Sequence, residues 1–155
     1  FSSPIVYRET PFADDFRSVM FKYFSTRRGL YHYLSMANGN YREYLKGEMV
    51  KAKKYFYVLR PILACRWILD HGTPPPMLFS ELVKSELDSA VSKDVVRLLD
   101  LKMNSPETKI IPRVESLNKY LENSMEEVQT RIRQMPEDTH HDWEELNQIF
   151  LSQLE

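Results

Sequence analysis

Apolar residues recur at helical spacing along most of the chain. Between 11 and 24, Phe12, Phe16, Val19, Met20, Tyr23 and Phe24 fall on one helical face. Thr10 is placed to cap this helix, Pro11 suits its first position, and Asp14 and Asp15 lie near the positive end of its dipole. Ser25 opens a second helix, whose stripe of Leu30, Leu34, Ala37, Tyr41 and Leu45 reaches about Gly47. A third is expected from about Met49 to His71, stopped by Gly72 and the turn Thr73-Pro74-Pro75-Pro76. After the prolines, Phe79, Leu82, Val83 and Leu87 predict a short helix, and Ser92 is placed to cap the next, through Val95, Leu98, Leu99 and Leu101. Residues 104–113 carry Pro106 and Pro112 and read as a loop, with Ile110 and Ile111 tucked against the bundle. Val114, Leu117, Leu121, Met125, Val128 and Ile132 then follow heptad-like spacing, and Trp143, Leu146, Ile149, Phe150 and Leu154 mark a last helix. The pattern predicts an all-α fold, a single bundle of six to seven helices with at most a short strand near Ile5.

Composition narrows the class. A chain of 155 residues fits one domain with a sizeable core. Its 4 glycines argue against a turn-rich all-β fold. The net charge of -1 gives no global attraction to a polyanion, so any such partner must be met by a local basic patch. The lone Cys65 excludes an internal disulfide framework and a cysteine-built metal site. No apolar run reaches the roughly 20 residues that span a bilayer, and no signal peptide is visible, so a soluble, cytoplasmic chain with no membrane partner is expected. The chain opens Phe1-Ser2-Ser3-Pro4-Ile5-Val6-Tyr7 without an initiator methionine, which predicts a piece of a longer protein.

The third helix carries the candidate chemistry. On a wheel, Ala52, Tyr55, Phe56, Leu59, Ile62, Leu63, Trp67 and Leu69 share a broad core face. Arg66 and Asp70 fall inside that arc one turn apart and are expected to form a buried ion pair. On the flank lie Lys53, Tyr57 and Arg60, while Lys51 and Lys54 point elsewhere on the wheel. A cation, a phenol and a guanidinium over about two turns can hold phosphates, as point charge, donor and fork. The bland alternative is a solvated charged face. Pro61 denies the Tyr57 carbonyl its helical partner and bends the axis, at about 3 kcal/mol, directly after Arg60. On the second helix, His32, Asn40 and Tyr41 are candidates for a base or sugar, although such residues are more often satisfied at helix interfaces. Gly39 is expected to admit a close backbone approach.

Several stretches together resemble a known family. They are Ser3-Pro4-Ile5-Val6-Tyr7, His32-Tyr33, Met36-Ala37, Asn40-Tyr41, Tyr44-Leu45 and Val50. With them go Lys53-Lys54-Tyr55-Phe56-Tyr57-Val58-Leu59-Arg60-Pro61, Arg66-Trp67-Ile68, and Pro75-Pro76 followed by Phe79 and Leu82. This set resembles the C-terminal helical part of predicted nucleotidyltransferases of the DNA polymerase β superfamily, the RNA-repair-associated family RlaP. The resemblance is strong over residues 2 to about 85, weak to about 120, and absent beyond. It implies a nucleotidyltransferase fold followed by a helical domain, and transfer of a nucleoside monophosphate from an NTP to an acceptor such as RNA. Two Mg²⁺ ions are implied for the parent enzyme. Their carboxylates belong to a Gly-Ser segment with an acidic pair, which this chain lacks; its own alternation, Glu86 and Asp88, has no such context. The resemblance therefore implies no catalytic residues here and an N-terminal catalytic domain as partner. By likeness to related two-domain transferases, Lys53, Lys54, Tyr57 and Arg60 would contact the triphosphate or acceptor.

Two rival classes stand beside this reading. Arg66 and His71 fit the loose arginine-x4-histidine pattern of HEPN-type helical ribonucleases, although Trp67 follows the arginine where that family is usually polar, and the two side chains diverge by about 140° on an unbroken helix. A non-catalytic helical adaptor is the other. His140-His141 with Asp142 and Glu144 read as a solvated turn, because adjacent histidines on a helix diverge and no further ligand completes a metal site.

Overall fold

In the computed structural model the chain folds around one helix, packed from several sides. Residues 5–7, 11–106, 108–137 and 142–152 are described, and seven helices lie among them: α1 (Pro11–Met20), α2 (Thr26–Tyr44), α3 (Lys54–His71), α4 (Phe79–Glu86), α5 (Ser89–Asn104), α6 (Glu115–Gln134) and α7 (Glu144–Leu151). Two short strands, β1 (Met49–Lys51) and β2 (Ile110–Pro112), pair antiparallel with Val50 opposite Ile111. The expected all-α bundle is what forms. Thr10, Phe1 to Pro4, His140, His141 and Leu154 lie outside the described residues, as do the expectations placed on them.

α3 is central because its sequence is apolar nearly all round. Tyr55, Val58, Leu59, Ile62, Leu63, Cys65 and Ile68 are fully buried, and α2, α4, α6 and β1 all pack on it. A helix apolar over most of its circumference belongs inside a bundle, with only a narrow flank left to solvent. Its C-terminus follows expectation: Gly72 takes the left-handed conformation at φ 66° and donates to the Ile68 carbonyl. Cys65 points into this core, and burial pushes its thiol pKa up to about 12. The native chain is therefore expected to resist iodoacetamide near pH 8 and to label rapidly only in denaturant. Fast labelling of native protein would show that the α2–α3 seam opens readily.

Several boundaries differ from expectation, each for a physical reason. The third helix starts at Lys54, because Met49-Val50-Lys51 pairs with a strand some sixty residues away instead of winding up. That ladder is extended by Ala52 N–H to the Lys109 carbonyl at 3.0 Å and Arg113 N–H to the Glu48 carbonyl at 2.8 Å. It fixes where α3 begins. Ile5 is in no strand. α2 ends at Tyr44, short of Gly47, with Leu45 as its C-cap. α5 is capped by Asp88, whose Oδ1 accepts from Ala90 N–H at 2.8 Å, rather than by Ser92. Gly39 has nothing within 4 Å of a would-be Cβ; the close approach is at Gly29, where a Cβ would meet Phe24 at 2.9 Å and Ile68 at 3.3 Å.

A buried polar network ties α2, α3 and α6 together. Tyr55 Oη donates to Asn118 Oδ1 at 2.6 Å and accepts from Val114 N–H at 2.8 Å. Asn118 Nδ2 donates to the Leu45 carbonyl at 2.9 Å and to Tyr41 Oη at 3.2 Å. Tyr41 in turn donates to Glu122 at 2.6 Å. One amide on α6 thus satisfies groups from α3, from α2 and from the end of α2.

Candidate functional site

The α2–α3 seam opens on a face where the candidate cations gather. β1 and Ala52 deliver Lys53 as the N-cap of α3, half-buried and without a side-chain capping bond. Lys54 lies one turn before Tyr57, and the structure brings these two together although the wheel had set Lys54 apart. Its ammonium sits 3.8 Å from the Tyr44 ring centroid and 4.3 Å from that of Tyr57. The two rings meet edge-on at 6.2 Å. Quadrupole attraction holds the charge between them without neutralising it. Glu43 stands at the edge of this group, and its hydrogen bond is the main cause raising the Tyr44 phenol pKa above its ordinary value.

Arg60 is exposed and donates from Nη2 to the Met77 carbonyl at 2.6 Å, which ties α3 to the segment after the prolines. It lies near Tyr33: burial raises that phenol's pKa, and the Arg60 charge pulls the other way. Lys54 and Arg60 thus rest on rings and a backbone carbonyl. Neither has a carboxylate partner among the described residues. Elsewhere Arg17 pairs with Asp14, Arg113 with Glu115 and Arg66 with Glu127.

The remaining candidates are distributed differently. Asn40 is turned inward, its Nδ2 donating to the Tyr57 carbonyl at 3.0 Å. Tyr41 is buried in the network above, where burial first and its bond to Glu122 next push its pKa up to about 12. His32 is exposed on α2 with its ring edge-on to Tyr33 at 5.2 Å. The expected Arg66–Asp70 pair does not form. Arg66 reaches across to α6 instead, to Ser124 Oγ at 3.3 Å and Glu127 at 3.8 Å, over the Tyr120 ring at 5.1 Å. α6 offers it a carboxylate, a hydroxyl and a ring, and Asp70 is left exposed. His71 packs against Trp67, ring centroids 4.0 Å apart, with Nε2 3.4 Å from the buried Glu86. Arg66 and His71 therefore turn to different partners.

Arg66 stands half a turn round α3 from Tyr57. There a cavity of about 290 Å³ is lined by Arg66 and Arg131 but also by Asp70, Glu86, Asp88 and Glu127. Four carboxylates against two guanidiniums make that side unsuited to a polyphosphate. Among the described residues, no three His, Cys, Asp or Glu side chains gather to hold a metal ion. No described helix is long and apolar enough to cross a membrane.

Fold and face together define a helical module whose α3 flank carries Lys54 on two rings and Arg60 on a backbone carbonyl. The chain belongs to the family RlaP, described as the RNA repair pathway DNA polymerase beta family, whose model matches residues 1–152. That match runs past residue 120, further than the motifs alone suggested. The chain is 35% identical over 156 residues to the uncharacterized protein YcgL of Bacillus subtilis (strain 168), a match covering 99% of this chain and 60% of the relative. It thus spans about three fifths of that relative's length. No solved structure matches.

Proposed function

We propose that this chain is the phosphate-contacting helical part of a nucleotidyltransferase, which moves a nucleoside monophosphate from an NTP to an acceptor, RNA being the acceptor its family description favours. The observation that carries this reading is the α3 flank, where Lys54 and Arg60 keep their charges uncompensated at the surface. Arg60 gives up a carbonyl contact and offers its planar fork to two phosphate oxygens. Lys54 acts as a point charge from its seat on the two rings, with Lys53 beside it at the helix start. Tyr57, half-exposed, donates its phenol proton. Aimed at a triphosphate, these groups would offset the negative charge that grows on pyrophosphate as it departs.

The reacting carboxylates belong, in this reading, to an N-terminal catalytic domain in the part of the longer protein that this chain does not span. Mg²⁺ there would polarise the phosphates.

Titration of the chain with ATP, GTP, CTP and UTP in turn tests the proposal. Arg60→Ala is expected to weaken the NTP bound best by about 5- to 10-fold, roughly the worth of one exposed charge-assisted bond, with an unchanged circular dichroism spectrum. A parent that binds no NTP, or an Arg60→Ala variant binding as tightly as the parent, would sink it.

A further inference from the structure

Proline 61 leaves a specific debt in α3, and the bundle settles it from outside the helix. A helical carbonyl is normally met by the N–H four residues on, and Pro61 has none to give Tyr57. The Asn40 amide on α2 fills that place, with Nδ2 3.0 Å from the Tyr57 oxygen. Only the amino end of an asparagine can meet a carbonyl, so the orientation of Asn40 is fixed by chemistry. The first turn of α3 has its own backbone bonds from Tyr55 N–H and Phe56 N–H, 3.3 and 3.2 Å long, and the Asn40 bond ties it to α2 besides. That turn carries Lys54 and Tyr57, and Arg60 follows directly.

We infer that Asn40 is the positioning residue of the cationic flank: by replacing the hydrogen bond that Pro61 removes, it docks the first turn of α3 against α2 and so sets Lys54 between Tyr44 and Tyr57. The geometry is reciprocal, since Tyr44 stands one turn after Asn40 on α2 and Tyr57 carries the carbonyl that Asn40 binds. The relevance to phosphate rests on the function proposed above; the positioning itself does not.

The test has a readout that ordinary loss of stability would not move. In the parent, ring currents of Tyr44 and Tyr57 are expected to shift the Lys54 ε-methylene protons upfield, as a cation held over two ring faces requires. In Asn40→Ala, and in the shape-keeping Asn40→Asp that cannot donate, this shift is expected to fall by roughly half or more at a temperature where the variants remain folded. Pro61→Ala restores the N–H, so Asn40→Ala with Pro61→Ala together should recover the shift seen in Pro61→Ala alone. A folded Asn40→Ala variant whose Lys54 signal stays in place, or a double variant that fails to recover it, overturns the inference. Titration of the same variants with inorganic tripolyphosphate separates the two claims. Affinity that is lost and regained with the shift supports both. A parent chain that binds no tripolyphosphate while the shift pattern holds would remove the phosphate reading and leave Asn40's role intact.

Discussion

Replacing Lys54 and Arg60 together by alanine is expected to lower affinity for tripolyphosphate about 30-fold while the chain stays folded. Each charge-assisted contact at an exposed site contributes on the order of 1 kcal/mol or slightly more, and two such losses compound to about that factor. Neither side chain belongs to the core: Arg60 is exposed, and Lys54 caps an aromatic pair at the surface. Loss of the cation–π contact should cost about 1 kcal/mol of stability, so a modest fall in melting temperature accompanies the binding defect. The affinity should also fall steeply with added salt, because exposed charges are screened within about 10 Å at 0.1 M. Isothermal titration at two salt concentrations reads both effects. Salt-independent binding, or a double variant matching the parent, would place the anion elsewhere.

Asn118→Leu is expected to destabilise the fold by about 3 kcal/mol. The side chain is 3% exposed and makes three bonds, so its loss strands the Leu45 carbonyl and takes the acceptor of the Tyr55 proton. A buried polar group left without a partner costs on the order of 1–3 kcal/mol. Tyr41 keeps Glu122 and Tyr55 keeps the Val114 N–H, which limits the damage. Urea denaturation followed by circular dichroism measures it. A loss under about 1 kcal/mol would mean that the cavity relaxes or that water replaces the amide.

The helices were legible because their apolar stripes are long and their end signals strong. Ser25, whose hydroxyl accepts from Arg28 N–H at 3.0 Å, and Gly72 at the end of α3 are read directly from residue type. The buried extent of α3 was not. A wheel assigns one core face, but Val58, Cys65 and Ile68 are buried too because neighbours arrive from several directions. β1 was hidden for a related reason: three residues are too few to show alternation, and the strand exists only through β2, far along the chain. Polar partners across the bundle were equally out of reach. Asp70 was the local choice for Arg66, yet α6 presents Glu127, Ser124 and Tyr120 together. Pro61 did announce an orphaned carbonyl at Tyr57. That Asn40 answers it needed the α2–α3 packing.

If an anionic ligand meets the α2–α3 face, amide chemical-shift mapping during a tripolyphosphate titration will show where it lands. Saturable shifts are expected to concentrate at Lys53, Lys54, Tyr57 and Arg60, with smaller ones at Asn40 and Tyr44. Shifts gathered instead around Arg66 and Arg131, or no saturable shift at all, would contradict the phosphate-contacting role proposed for this face.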